Sequence, residues 1–451
     1  MKCRTRFLDS FMKKVFYNLG YFIGERPGYF VIIPVLVTLL CATGFEKIHV
    51  VSDPEYLFTP VQGPGKLERS SLEKHFPTNF NQFDPTRSSK PGRFGRVLIT
   101  SLDGGSLLRS EAWFEISFLD SLVRNVSVVW EGDTYNYEAL CAKTLEGKCW
   151  SNEIVNLSLY MEEIQNRNIT LTYPIWFSPD TFKAYPLTMY MGGLGLSPTN
   201  EVDGVAGVSL VYFLDSEEDW RMDRGKLWEN AFLETLKNQR FEHIKAGRFA
   251  SVTLEQELEN NTETVKPYFG LNIIIMVIFC IFTSMMTDWV KSKPLLGLFG
   301  VVSAIMGSMS AFGLVMYLGM DFIGINLAAP FLMLGIGIDD TFVMLAAWRR
   351  TSIHDTVPKR VAEAYREASI SITITSITDM LSFWIGAITP FPCVRIFSIY
   401  TGACVAGTYI WHLTFFGGCL AVAGYAEKQN RHAVTCRVVI PTSQSGTVSF
   451  S

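Results

Sequence analysis

Five apolar stretches, each long enough to cross a lipid bilayer, follow one another between Gly270 and Tyr425, and a sixth stands apart near the N-terminus. A bilayer core of roughly 30 Å takes about 20 apolar residues in a helix. Lipid offers nothing to an open backbone group, so each stretch must close its own hydrogen bonds as a helix. The stretches are Tyr29–Phe45, Gly270–Thr287, Leu295–Leu318, Phe322–Trp348, Ser369–Ile388 and a sixth within Val394–Tyr425. The chain therefore reads as a polytopic α-helical membrane protein with six transmembrane helices. Its expected divisions are an N-terminal segment (1–28), the first span (29–45), a large domain (46–269), the five-span region (270–425) and a tail (426–451).

The first stretch also fits a secretory signal peptide, with small residues near Ala42 resembling a cleavage site. The 28 residues before it are too long for a signal n-region. They carry Phe7, Phe11, Val15, Leu19 and Phe22 at helical spacing around Lys13 and Lys14, the pattern of an interfacial helix leading into an uncleaved anchor.

Orientation follows from Lys and Arg near the span ends. Lys2, Arg4, Arg6, Lys13, Lys14 and Arg26 precede the first span, and Lys291 and Lys293 follow the second. Arg349, Arg350, Lys359, Arg360 and Arg366 follow the fourth, and Lys428, Arg431 and Arg437 the sixth. With six spans these four places share one side, which predicts cytoplasmic termini. The opposite loops, Gly319–Asp321 and Thr389–Pro392, carry neither residue. All four Asn-x-Ser/Thr acceptors, Asn125, Asn156, Asn168 and Asn260, fall in the segment that the charges put outside, so that domain is expected to be glycosylated.

Charged residues are 18% of the chain and hydrophobic residues 48%, an average over two unlike parts. Residues 46–269 have the composition of a water-soluble domain. A net charge of −4 with no basic cluster excludes a nucleic-acid partner. Cys141 and Cys149 are the only cysteines in that domain and predict a short-loop disulfide in an oxidising compartment. Residues 93–101, 204–214 and 249–254 read as strands, and the periodicity of Trp113–Val123 and 227–244 as helices. Strand–helix units split around an insert predict an extracellular α+β domain of the ferredoxin-like kind.

No GxSxG, HExxH or P-loop pattern occurs, and His49, His75 and His243 lack metal-ligand spacing, so no enzyme is expected. The acidic run Asp215–Asp219 reads as a solvated loop, and the aromatic run Tyr173–Phe182 as core.

The informative charges lie inside the spans. A carboxylate there costs several kcal/mol, so it faces a bundle interior and marks a pathway. The fourth span carries Gly335-Ile-Gly337-Ile-Asp339-Asp340-Thr341, and the fifth Thr375-Ser-Ile-Thr378-Asp379. Nine residues separate Asp339 from Trp348, and ten separate Ser369 from Asp379. At 1.5 Å per residue both sit ~14 Å from one membrane boundary. Clustered carboxylates in a low dielectric cannot all stay ionised, so a proton or a cation joins them. Gly335 and Gly337 leave room for a neighbouring helix or for water. The competing reading has these acids only hydrogen-bonded to Thr341, Thr375 and Thr378, locking helices. Asp288 and Asp321, at span ends, read as structural, and His412 as packed or hydrogen-bonded. Gly300, Ser303, Gly307 and Ala311 have small-xxx-small spacing for close helix packing.

The segments GIGIDDTFVMLAAWRRT (335–351) and ITSITDMLSFWIGAITPFPCVRIFSIYTG (374–402) resemble the sterol-sensing domain of Patched-related proteins, and the tail Glu427–His432 resembles the Patched domain-containing subfamily. The likeness runs from the N-terminus to about residue 435. It implies half of a resistance-nodulation-division architecture, whose two repeats each hold one helix, an outer domain and five helices. It also implies movement of sterol or another lipid, coupled to a proton or sodium gradient. Asp339 and Asp340 match that family's GxxxDD acids, and Asp379 a fifth-span acid frequent in the subfamily. Residues 436–451 do not lead into a second outer domain, so the expectation is a truncated isoform, an incomplete gene model or a half that pairs with another chain. The function expected is a sterol or lipid transporter subunit with no cofactor beyond the coupling proton or sodium. The alternatives are a non-transporting sterol-responsive receptor or a half-molecule dimerising with a full-length relative. The plasma membrane or an endosomal compartment would hold it.

Overall fold

The computed structural model describes residues 2–88, 92–286, 290, 292–432 and 437–438, with side chains from Ser10 onward. Asp288, Lys291, the side chain of Phe7 and most of the tail lie outside the described residues. The chain divides into two compact units, Met1–Gln62 with Leu258–Ser451, and Gly63–Glu257.

Among the described residues of the first unit, six helices are long and apolar enough to cross a membrane. An N-terminal helix, Lys2–Glu25, precedes them. Span 1 is Pro27–Ala42, started by a proline whose missing N–H costs nothing at that position. Span 2 is Thr253–Ser284, span 3 Pro294–Tyr317, span 4 Ala329–Arg350 and span 5 Val357–Gly386. Span 6 is Pro392–Trp411, then a π segment His412–Phe416, then Gly417–Lys428.

Several ends differ from the sequence-based expectation. Span 4 starts at Ala329 rather than Phe322, because Phe322 pairs its backbone with His49 and Val51 and Gly324–Ala328 is a 3₁₀ turn. Span 5 starts at Val357 rather than Ser369. Its first three turns are polar on average, but Val357, Val361, Ala364, Tyr365 and Ala368 form one buried face at helical spacing. Packing of that face outweighs the charges Lys359, Glu363 and Arg366 on the other.

The N-terminal helix lies on this extension. Phe16 and Ile23 are buried there, and a Cβ on Gly24 would come within 2.5 Å of the Pro358 Cα. Phe11, Val15 and Phe22 stay exposed on its other side. The helix thus has two apolar faces, one docked on protein and one open.

Span 3 is the hub, and its small residues explain why. A Cβ on Gly297 would meet the Cys280 carbonyl of span 2 at 2.5 Å, and one on Gly307 the Thr408 Cα of span 6 at 2.6 Å. Gly300 faces Thr341 of span 4. The expected close-packing stripe therefore seats a different helix at successive turns, and Ala311 is buried with it.

The second unit holds strands β1 (Phe94–Ser101), β2 (Ser127–Trp130), β3 (Asp133–Asn136), β4 (Ile175–Phe177), β5 (Ala184–Pro186), β6 (Met191–Leu196), β7 (Val202–Phe213) and β8 (Ile244–Ala250). Four of them make one antiparallel sheet in the order β6-β7-β1-β8, while β2–β3 and β4–β5 are ribbons in the insert. Helices Ser110–Arg124 and Asp219–Asn238 bury Trp113, Ile116, Leu119, Trp228, Phe232 and Leu236 in the core with Val97, Ile99, Val208 and Leu210 of the sheet. The helix expected at 227–244 is Asp219–Asn238, and the strand expected at 249–254 is β8. Pairing of Ile244–Ala250 with Gly95–Ser101 of β1 starts the strand five residues before Phe249 and takes Ile244 from the end of the expected helix. Cys141 and Cys149 are disulfide-bonded. Residues of the expected domain 46–269 outside Gly63–Glu257 belong to the bundle.

Candidate functional site

The carboxylates of spans 4 and 5 sit where two antiparallel helices are held in register. Arg350 and Glu367 form an ion pair between them. Eleven residues separate Asp339 from Arg350 and twelve separate Glu367 from Asp379, so at 1.5 Å per residue both acids lie ~17 Å from that pair. Both are within electrostatic reach of Asp340. The three acids thus form one group, although span 5 starts twelve residues before the boundary expected at Ser369.

Their exposures differ because neighbours on a helix point about 100° apart. Asp340 turns into the bundle and is 4% exposed, Asp339 turns outward and is exposed, and Asp379 is half-buried. Oδ2 of Asp340 is buried without a hydrogen-bond partner. The threonines expected to bind the acids do something else. Thr341 Oγ1 donates to the Gly337 carbonyl at 2.9 Å, Thr378 Oγ1 to Ile374 at 2.8 Å, and Thr375 Oγ1 to Ile372 at 3.0 Å and Ser371 at 3.2 Å. Each hydroxyl has one proton, and it is committed to its own helix.

The two glycines separate as well. A Cβ on Gly337 would lie 2.8 Å from the Ala304 Cβ and 3.1 Å from the Thr408 Cγ2, so this glycine lets spans 3 and 6 close on span 4 beside Asp340. Gly335 is exposed with nothing near it. Thr408 Oγ1 and Ser303 Oγ, on the helices that close in, are buried and unpartnered too. A buried unpartnered oxygen costs about 1–3 kcal/mol. Asp340 Oδ2 and two hydroxyls on the helices that close in on span 4 are left without partners.

At one end of the bundle lies a second ionic group that the sequence reading missed. Lys293 Nζ is 2.7 Å from Glu427 Oε2, and Arg360 Nη1 is 3.2 Å from Glu427 Oε1. The Arg360 guanidinium stacks on Trp348, whose Nε1 donates to Glu427 at 3.3 Å. Lys293 also donates to the Ala423 carbonyl, and Arg360 to Thr351. This ring ties together spans 4, 5 and 6 and the start of span 3. Its partners are scattered from residue 293 to 427, and no local pattern joins them.

Other expected residues are structural or peripheral. Asp321 pairs with His49 at 2.9 Å. The acidic run from Asp215 is not a free loop, since Asp215, Glu217 and Glu218 all pair with Arg221. In the aromatic run Trp176 is core, while Phe177 and Phe182 are exposed. Asn125, Asn156, Asn168 and Asn260 are exposed, the last on the span 2 helix. His412 is fully buried, with no close hydrogen bond to either ring nitrogen and the Asp340 main chain beside the ring.

Residues 270–422, which contain all three acids, match the Patched family model for its sterol-sensing domain (Patched SSD). The chain carries a Patched-related sterol-sensing domain. It is similar to Patched-related protein 9 of Caenorhabditis elegans, 25% identical over 421 residues that make 90% of this chain and 48% of that protein. It is also similar to NPC1-like intracellular cholesterol transporter 1 of Rattus norvegicus, 23% identical over 488 residues (95% of this chain, 36% of the relative). A Niemann-Pick type C1-related protein of Toxoplasma gondii is 27% identical over 299 residues, 63% of this chain and 25% of that protein. The chain spans about half the length, or less, of these curated relatives. The sterol-sensing domain thus contains spans 3 to 5 whole, most of span 6 and the apolar part of span 2, and it encloses Asp340 with its unpartnered neighbours.

Proposed function

We propose that this chain is a sterol or lipid transporter subunit in which Asp340, flanked by Asp339 and Asp379, binds and releases the coupling ion. The observation that carries the reading is the buried, unpartnered Oδ2 of Asp340 inside the sterol-sensing domain. A structural acid would have its acceptors filled, and an intramembrane acid without a partner is the arrangement an ion relay requires. One relative's name, an intracellular cholesterol transporter, points to sterol as the lipid class.

The same reading assigns a place to the rest of the chain. Basic span ends support cytoplasmic termini and an outer position for the Gly63–Glu257 unit, with glycans on its exposed Asn125, Asn156 and Asn168 and on Asn260 just beyond it. The order β6-β7-β1-β8 with a helix after β1 and another after β7 supports the ferredoxin-like class for that domain. Asp339 on an exposed face of span 4 supports a further helix bundle as partner, since lipid is a costly neighbour for a carboxylate. A second copy or a longer relative would supply it, at the plasma membrane or in endosomes.

The test is gradient-driven sterol redistribution in cells or proteoliposomes. Asp340→Asn abolishes it and Asp339→Asn reduces it severalfold, at unchanged surface expression. Full activity in both variants sinks the proposal. A wild-type chain that crosslinks sterol but redistributes none, with crosslinking unchanged in both variants, identifies a sterol-responsive regulator instead.

A further inference from the structure

His412 is as anomalous as Asp340. Its imidazole is fully buried, and both Nδ1 and Nε2 lack hydrogen-bond partners. A neutral imidazole has one donor and one acceptor nitrogen, and leaving either dry costs about 1–3 kcal/mol. The ring stacks on Phe416, with centroids 4.6 Å apart, which fills space but satisfies neither nitrogen.

The backbone around it is built to hold this position. His412 opens the π segment His412–Phe416, and such turns within α-helices are frequent at functional sites. Neighbours pin the turn from two sides. Tyr365 Oη of span 5 donates to the Leu413 carbonyl at 2.6 Å, and Trp411 Nε1 donates to Thr38 Oγ1 of span 1 at 2.7 Å. Tyr365 also fills the space that a side chain at position 417 would need.

The ring lies beside the main chain of Asp340. Thr408 is one turn before His412 on span 6, and it packs against Gly337 and Gly307. Ser303 lies on the span 3 stripe between Gly300 and Gly307, which face spans 4 and 6. Four unpartnered polar side chains from three helices, Asp340, His412, Thr408 and Ser303, are therefore gathered in one part of the bundle.

We propose that His412 is the proton partner of Asp340 within this single six-span bundle, the two exchanging a proton through water held by Thr408 and Ser303. The inference rests on the ion-relay reading of Asp340 and deepens it. In the transfer, the Asp340 carboxyl gives its proton to the water, and the water gives one of its own to an imidazole nitrogen. A carboxylate and an imidazolium replace two neutral groups, the water is regenerated, and the reverse transfer restores the start. The titratable groups facing the pair are Asp339 from span 4, Asp379 and Tyr365 from span 5, and Tyr409, which hydrogen-bonds Thr373 at 2.9 Å. From span 1 the Thr38 hydroxyl accepts from Trp411 next to His412, and span 3 carries the unpartnered Ser303 hydroxyl. An imidazole in the cluster also selects the ion. An imidazole nitrogen takes up a proton but is a poor ligand for a hard cation, so this pairing has a proton as its coupling ion.

The test uses the full chain in lipid nanodiscs and infrared difference spectra recorded across a pH titration. The carboxylic C=O band that disappears in Asp340→Asn belongs to Asp340. Its titration midpoint moves by at least about one pH unit in both His412→Gln and His412→Phe if the two groups are coupled. An unmoved midpoint in whichever variant folds overturns the pairing and leaves the Asp340 relay standing. If no titrating band is lost in Asp340→Asn, the relay reading fails and the pairing with it. Replacing the proton gradient by a sodium gradient in proteoliposomes gives a second readout on the unsubstituted chain. Sodium-driven, proton-independent redistribution also overturns the pairing.

Discussion

Glu229 and Asp340 are both buried carboxylates, one in the α+β domain and one in the membrane bundle, and their surroundings are opposite. Glu229 accepts from the Phe94 N–H at 2.9 Å, Ser251 Oγ at 2.6 Å and Arg93 Nη1 at 3.3 Å. Burial still pushes its carboxyl above the ordinary carboxylate value, against the pull of Ser251, Arg93 and the Phe94 amide. Asp340 has none of this, and its Oδ2 is unpartnered. The contrast is not one of soluble against membrane environment. Glu427, in the same bundle as Asp340, is held by Lys293, Arg360 and Trp348. The fold satisfies its buried acids wherever they hold it together, and the acid left unsatisfied is the one it does not need for holding.

That distinction can be broken by measurement. The largest effect belongs to Glu427→Ala, which leaves the Lys293 and Arg360 cations buried without their anion. Loss of one partner of a buried pair costs about 3–5 kcal/mol, so the bundle should lose thermal stability and expression. A thermal midpoint within a degree or two of wild type would show that the ring is incidental.

A smaller effect is expected at Glu115 in the domain. Burial works against its charge, but the main-chain N–H groups of Glu242, His243 and Ile244, with the His243 ring, outweigh it and hold its pKa below the ordinary value. A depressed carboxyl contributes stability above its unfolded pKa of about 4.3 and loses that contribution as pH falls through the folded value. Protection of the β8 amides in the intact chain, relative to their intrinsic exchange rates, should therefore fall as the medium is acidified below that range. In Glu115→Gln the acid dependence should flatten, with protection reduced by about 1–2 kcal/mol at neutral pH. An unchanged profile would mean that these bonds contribute nothing.

The smallest effect on folding is expected at Asp340 itself. Asp340→Asn replaces a carboxyl whose Oδ2 no protein group holds, so stability should stay within about 1 kcal/mol of wild type or rise. A loss as large as that of Glu427→Ala would reveal a hidden partner and erase the contrast.

The parts of this molecule differ in how far their residues announce them. Spans were legible because length and apolarity are local properties, and Leu295–Leu318 lies within one residue of the span 3 helix at each end. Their polar extensions were not. Val357–Ala368 carries its buried face at helical spacing, but the charges between those residues outweigh it in any average. The β8 strand was placed too late, at 249–254, because its start at Ile244 is set by pairing with β1. In the site, Asp340 was legible as an acid in an apolar run, whereas the thresholds that distinguish it from Asp339 are rotational and appear only when span 3 and span 6 close on Gly337. The Lys293–Glu427–Arg360 ring depends on residues far apart in the chain, and charge alone does not say who meets whom. His412 looked like filler because a π turn leaves no mark in a hydrophobic period.

That turn has a consequence for how the chain tolerates change. A π turn spends one residue more than an α turn on each hydrogen-bonded loop. Removing a single residue from 412–416 would let span 6 run as regular helix while Trp411 keeps Thr38 and Glu427 keeps its ring. An in-frame loss of one codon there would turn the π segment into regular helix and shift Leu413, Phe415 and Phe416 in the core. In this segment the length of the chain, more than the identity of any one side chain, sets the helical phase on its two sides.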